Sequence, residues 1–142
     1  MNIAPVLGGM SDLLATQGGR LLAFDLAGHT LRWTQQGTFG GNVTVANGTL
    51  YVFNNQQIEA RRESDGGLLW VWVPPNNERP TGTMIATNNL LFVSTGAATY
   101  AVDLAAHKQV WSYPASGLLA LGQQGTLFVA QANGKLAALS VR

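Results

Sequence analysis

The sequence contains no cysteine, so it forms no disulfide framework, offers no thiolate to a metal and carries no thiol nucleophile. Charge is scarce too: 11% of the residues are charged, against about 25% in a typical soluble domain. Eight Lys and Arg against seven Asp and Glu leave a net charge of +1, which provides no basic field to hold a phosphate backbone and argues against a nucleic-acid partner. No run of 18 apolar residues exists to cross a bilayer. The opening MNIAPVLGGMSDLLATQGG has neither the basic stretch nor the unbroken apolar core of a signal peptide. Asn42-Val43-Thr44 and Asn47-Gly48-Thr49 match the glycosylation sequon, as short stretches of an Asn- and Thr-rich chain do by chance.

What is present in quantity is glycine, 17 of 142 residues, spread among short apolar runs. That combination points to strands and tight turns rather than helices. Four segments align with one another: LLATQGGRLLAFDLAGHTLRW, LYVFNNQQIEARRESDGGLLW, LFVSTGAATYAVDLAAHKQVW and LFVAQANGKLAALSVR. Their common Ala residues are Ala23, Ala60, Ala101 and Ala138, spaced by 37, 41 and 37, and Trp33, Trp70 and Trp111 each follow their Ala by ten. Gly18-Gly19, Asn47-Gly48, Gly66-Gly67 and Asn133-Gly134 supply the positive φ that hairpin turns need. Leu50 to Phe53 and Leu90 to Val93 are apolar on both faces, the mark of a sheet sandwiched between sheets. Adding Ala4 to Gly8, Asn42 to Ala46, Thr83 to Thr87 and Leu118 to Gly122 as first strands gives four strands per unit of about forty residues, the size of a propeller blade.

These residues resemble the pyrroloquinoline-quinone-like repeat, whose units carry Ala, then Asp two on, Gly six on and Trp ten on. Ala23, Asp25 and Trp33 match it, as do Ala101, Asp103 and Trp111, while Ala60, Gly66 and Trp70 match with Arg62 at the Asp position. His29 and His107 stand at the usual Gly, and Ser140 at the last Asp. The resemblance implies an all-β fold of about 15 antiparallel strands in a single partial β-propeller domain, residues 1–142. Its blades are expected near 3–37, 38–76, 77–115 and 116–142, the last without its outer strand, as part of a seven- or eight-bladed ring. It further implies that each repeat Trp docks between neighbouring blades. The alternatives for the ring are a closed four-bladed object, two copies forming eight blades, or a missing N-terminal half. Apolar end blades would then pair with a second propeller half or with a second copy of the chain.

No catalytic, cofactor or metal residue is expected. Quinone enzymes of the related family use a vicinal Cys pair with a carboxylate and an amide near the ring centre, and Cys is absent. Asp25 and Asp103 are expected to hold their own turns. His29 and His107, in equivalent turns two blades apart, cannot share a metal. No nucleophile, base and orienter can be grouped.

The second repeat breaks the pattern. Glu59, Arg61 and Glu63 stand where other units have Leu22, Phe24 and Leu26, or Tyr100, Val102 and Leu104. Its last strand instead gains Leu69, Val71, Val73 and a second indole, Trp72. The loop Pro74 to Pro80 holds the four extra residues of the 41-residue spacing. Local repacking and a partner-binding edge are both open from the residues; the edge is taken as the functional expectation, with Trp72 the anchor and Arg61, Glu63 and Arg79 polar contacts. Similarity to envelope-assembly lipoproteins implies a non-catalytic, extracytoplasmic scaffold with a protein partner. Part of a quinoprotein dehydrogenase, or a small-ligand or glycan binder, are the rivals.

Overall fold

The computed structural model describes residues 5–81 and 84–141. Ala4 and Thr83, expected to open first strands, and Arg142 lie outside the described residues. Among the described residues there are fourteen strands, no α-helix and one 3-10 turn, Pro75–Asn77. The protein is all-β, with antiparallel sheets that match a fragment of a propeller. It divides into two compact units, Met1–Val73 and Pro74–Arg142.

The first unit is one seven-stranded meander in chain order. Its strands are β1 (Val6–Leu7), β2 (Asp12–Gln17), β3 (Gly19–Asp25), β4 (Thr30–Ala46), β5 (Thr49–Asn54), β6 (Gln57–Arg62) and β7 (Leu68–Trp72). The expected strand Asn42 to Ala46 is not separate. It continues the strand of Trp33 into a single 17-residue β4, which leaves fourteen strands where about fifteen were expected. Phe39 pairs with Gly19 on one side and Asn54 on the other, and the register shifts between Gly40 and Thr44. The glycines at 40 and 41 therefore make a bulge that bends the strand without ending it. Alternation along β2 and β3 turns Leu14, Leu21 and Ala23 inward to meet Phe39, Val43, Leu50 and Val52, with Trp33 and Val45 packed against them. Each large side chain so buried contributes roughly 1.5–3 kcal/mol.

The second unit holds two sheets. The first is four-stranded, from β8 (Ile85–Ala86), β9 (Leu90–Ser94), β10 (Thr99–Asp103) and β11 (Lys108–Tyr113); the second is three-stranded, from β12 (Leu118–Leu121), β13 (Thr126–Ala130) and β14 (Leu136–Ser140). Residues Leu91 to Ser94 are buried on both faces of β9, as a sheet covered on both sides requires. Phe92, Ala101 and Leu127 form the core, with Trp111, Leu119, Leu139 and Val141 packed on it.

The turns follow the repeat. Asp25 Oδ1 accepts the N–H of Ala27 at 3.1 Å, and Asp103 Oδ1 accepts those of Ala105 and Ala106 at 2.8 and 2.7 Å. His29 and His107 sit at φ of 54° and 59°, left-handed positions that His tolerates better than most residues. In the second repeat, where Arg62 replaces the Asp, Asp65 takes over. Its carboxylate accepts the Gly67 N–H at 2.8 Å and the Arg62 guanidinium at 2.9 Å. The Gly67 N–H, foremost, and the Arg62 cation hold the Asp65 carboxyl below the usual carboxylate range.

Candidate functional site in the second repeat

Three charged side chains distinguish β6 and the turn after it, and the structure turns all three inward. Glu59 is 2% exposed, opposite Val52 on β5 and Val71 on β7. A carboxylate there survives only if its lone pairs are met. Its Oε2 accepts from Asn54 Nδ2 at 2.7 Å and Gln57 Nε2 at 2.8 Å, and its Oε1 accepts from Arg61 Nε and NH2, both at 2.7 Å. Arg61 also donates to the Gly66 carbonyl at 2.7 Å and lies 5.2 Å from the Phe39 ring centroid. Four donors on one carboxylate, two of them from a guanidinium that grips Oε1 and lies over a ring, make a closed network, which holds structure rather than offering groups to a ligand. Local repacking, one of the two readings of these charges, is what Glu59 and Arg61 show.

Glu63, 1% exposed, is bound from two directions. Its Oε1 accepts the Gly9 N–H at 2.6 Å, and its main-chain carbonyl accepts the Trp33 indole N–H at 2.8 Å. A Cβ on Gly66 would meet the Trp33 ring, and Gly66 has φ of 75°, so only glycine lets the indole of the first repeat come this close to the turn of the second. Docking of the repeat Trp onto the next blade is thereby visible for Trp33. A second buried carboxylate, Asp12 at 0% exposure, lies beside Glu63, and neither of its oxygens has a hydrogen-bond partner.

The outer strand β7 is the accessible part of the repeat. Leu68, Leu69 and Val73 are 52%, 42% and 58% exposed. Trp72, opposite Ile58, is 8% exposed, the burial of a core residue, so the accessible apolar groups are its neighbours instead. Strand alternation explains the difference: a partner anchor must point outward, and Trp72 alternates with the outward Val73. Val73 closes a pocket of about 370 Å³ that is otherwise lined by Gly37, Thr38, Asn54, Asn55, Gln56 and Gln57. Asn54 Oδ1 accepts the Thr38 N–H at 2.9 Å, which fixes the pocket wall. Asn54 and Gln57 are engaged with Glu59 and Thr38, so the run Asn54-Asn55-Gln56-Gln57 gives this pocket a fixed, neutral amide wall without acid–base chemistry, a signal present in the sequence but carried there by no periodicity.

The proline-rich loop is tied to the third repeat. Glu78 accepts from Thr95 Oγ1 at 2.9 Å and from the Tyr100 hydroxyl at 2.6 Å, Pro80 bridges Thr95, and the Arg79 carbonyl accepts the Gly96 N–H at 3.2 Å. The Arg79 side chain is exposed. Burial, foremost, and the Glu78 carboxylate push the Tyr100 hydroxyl up to about 12. Among the described residues no three His, Asp or Glu side chains converge as metal ligands.

The family model described as outer membrane protein assembly factor BamB matches residues 3–142. No curated protein matches the sequence. Among solved structures, BamB from Moraxella catarrhalis superposes with a TM-score of 0.73 at 16% identity, covering 97% of this chain and 50% of its own. The quinohemoprotein alcohol dehydrogenase ADHIIG from Pseudomonas putida HK5 superposes with a TM-score of 0.72 at 14% identity, covering 92% of this chain and 31% of its own. The chain thus spans half, or less, of the length of these structures, and likeness at such identity is a likeness of fold.

Proposed function

The chain belongs to the family of the outer membrane protein assembly factor BamB, and from that premise we propose that it is a non-catalytic propeller scaffold that docks another protein in the bacterial cell envelope. The observation that carries the reading is the exposed apolar side chains of Leu68 and Leu69 on β7, the end strand of its sheet, and of Val73 just past its end, beside a pocket lined by neutral amides. A strand at the end of a sheet offers unpaired backbone groups, and exposed apolar side chains with amides around them suit a peptide partner better than a charged metabolite. An extracytoplasmic address is part of the same proposal and comes from the family. The likeness to a quinohemoprotein dehydrogenase supports the shared fold and no more.

The test is a photo-crosslinking residue placed singly at Leu69, at Val73 and, as a control on the outer strand of the first repeat, at Leu31, in the native cells. The reading expects adducts with a component of outer-membrane protein assembly at Leu69 and Val73. Crosslinking equal at Leu31, or absent at all three in a stably expressed protein, contradicts it.

A further inference from the structure

We propose that Asp12 and Glu63 form a site for a hard divalent cation of the calcium class, clipping the first repeat to the second. The site is independent of the docking surface on β7.

Both carboxylates depart from the repeat, and the departures meet in space. Register places Asp12 opposite Asp25, as Thr49 lies opposite Arg62, Leu90 opposite Asp103 and Thr126 opposite Ser140. Asp12 is therefore an acid where the other units have Thr or Leu. Glu63 follows Arg62 as Leu26, Leu104 and Val141 follow their counterparts, so it is an acid where the others are aliphatic. Two such replacements in different repeats, each unfavourable alone in a buried place, make physical sense as a pair with something between them.

The local geometry brings their oxygens together. A Cβ on Gly8 would run into both Asp12 Oδ1 and Glu63 Oε1, so the two oxygens crowd the same side of the Gly8 Cα and stand close to one another, a position only a glycine permits. Asp12 is fully buried with both carboxylate oxygens unpartnered. Neither acid takes part in the ion pairs of the described residues, which join Arg32 to Asp25, Arg61 to Glu59 and Arg62 to Asp65. Arg32 does reach this loop, but it donates to the Met10 carbonyl at 3.3 Å. Two carboxylates balance a 2+ ion, and a donor set of oxygens without thiolate or imidazole selects calcium or magnesium over zinc or copper. Calcium is favoured because it accepts irregular geometry and completes its six to eight ligands with water, which can enter past the exposed Gly9, Met10 and Ser11. The sequence expectation of no metal weighed cysteine and the two histidines; it did not pair acids from separate repeats.

The experiment uses the whole chain, stripped with chelator and dialysed. Calorimetric titration with calcium chloride should show one ion bound per chain, and the thermal midpoint should rise by several degrees in calcium relative to chelator. Asp12→Thr, the residue of the second and fourth repeats, should fold and lose both effects. No heat and no shift in calcium or magnesium would overturn the proposal, as would a shift retained in Asp12→Thr.

Discussion

The indole N–H of Trp33, in the first repeat, donates to the main-chain carbonyl of Glu63, in the second, at 2.8 Å. One bond thus joins the repeat Trp of one unit to a residue at which the next unit departs from the pattern. The six-membered ring of the same indole lies where a side chain on Gly66 would collide with it.

Trp33→Phe loses the N–H donor together with the pyrrole half of the indole, and should cost about 1 kcal/mol or more of unfolding free energy in a urea titration. Gly66→Ala should cost more, about 1–3 kcal/mol, because it adds a methyl against the ring at a positive φ. Equal, negligible losses for both would mean that this contact does not hold the repeats together.

Glu59 and Arg61 should behave as a unit. Arg61→Leu leaves a carboxylate that is 3% exposed with only its amide donors, a loss of about 3 kcal/mol or more. Replacing both, Glu59→Leu with Arg61→Phe, restores the residues of the first repeat, Leu22 and Phe24, and should cost less than Arg61→Leu alone. Unfolding of Glu59→Leu, Arg61→Phe and the double variant closes the cycle, and strict additivity would contradict a coupled pair.

Alkaline pH should loosen the second unit through Tyr100. Its folded value, about 12, lies above the ordinary 10, so the folded state holds this proton more tightly than the unfolded chain does. The contribution is complete below pH 10 and is lost as pH rises from 10 to 12. The thermal midpoint of wild type should therefore fall towards that of Tyr100→Phe across this window. Parallel curves, with no convergence, would contradict the assignment.

The repeat, its turns and the absence of helix were legible because they rest on periodicity: Ala23, Ala60, Ala101 and Ala138 keep phase with Trp33, Trp70 and Trp111, and each turn carries its Asp, Gly or Asn. Continuity of β4 was not, since paired glycines read equally well as a break and as a bulge. Glu59, Arg61 and Glu63 were visible as exceptions, but a charged row on a strand reads as solvent-facing until partners such as Asn54, Gln57 and Gly9 are placed around it. Asp12 went unseen because its significance lies in a neighbour from another repeat. Trp72 read as an outward indole for want of the register that sets it opposite Ile58. The attachment of the proline-rich loop depends on one side chain, Glu78, meeting Thr95 and Tyr100, a contact that no local pattern announces.

The most direct measurement compares Leu69→Ser with Trp72→Ala, each scored for thermal midpoint and for yield of the Val73 crosslink. Leu69, 42% exposed, should lose crosslinking while the midpoint stays within a degree or so of wild type, as surface substitutions do. Trp72→Ala should lose about 3–5 kcal/mol of stability, the usual cost of emptying a large aromatic site in a core. A Leu69→Ser protein that crosslinks as well as wild type would contradict docking through the exposed edge of β7.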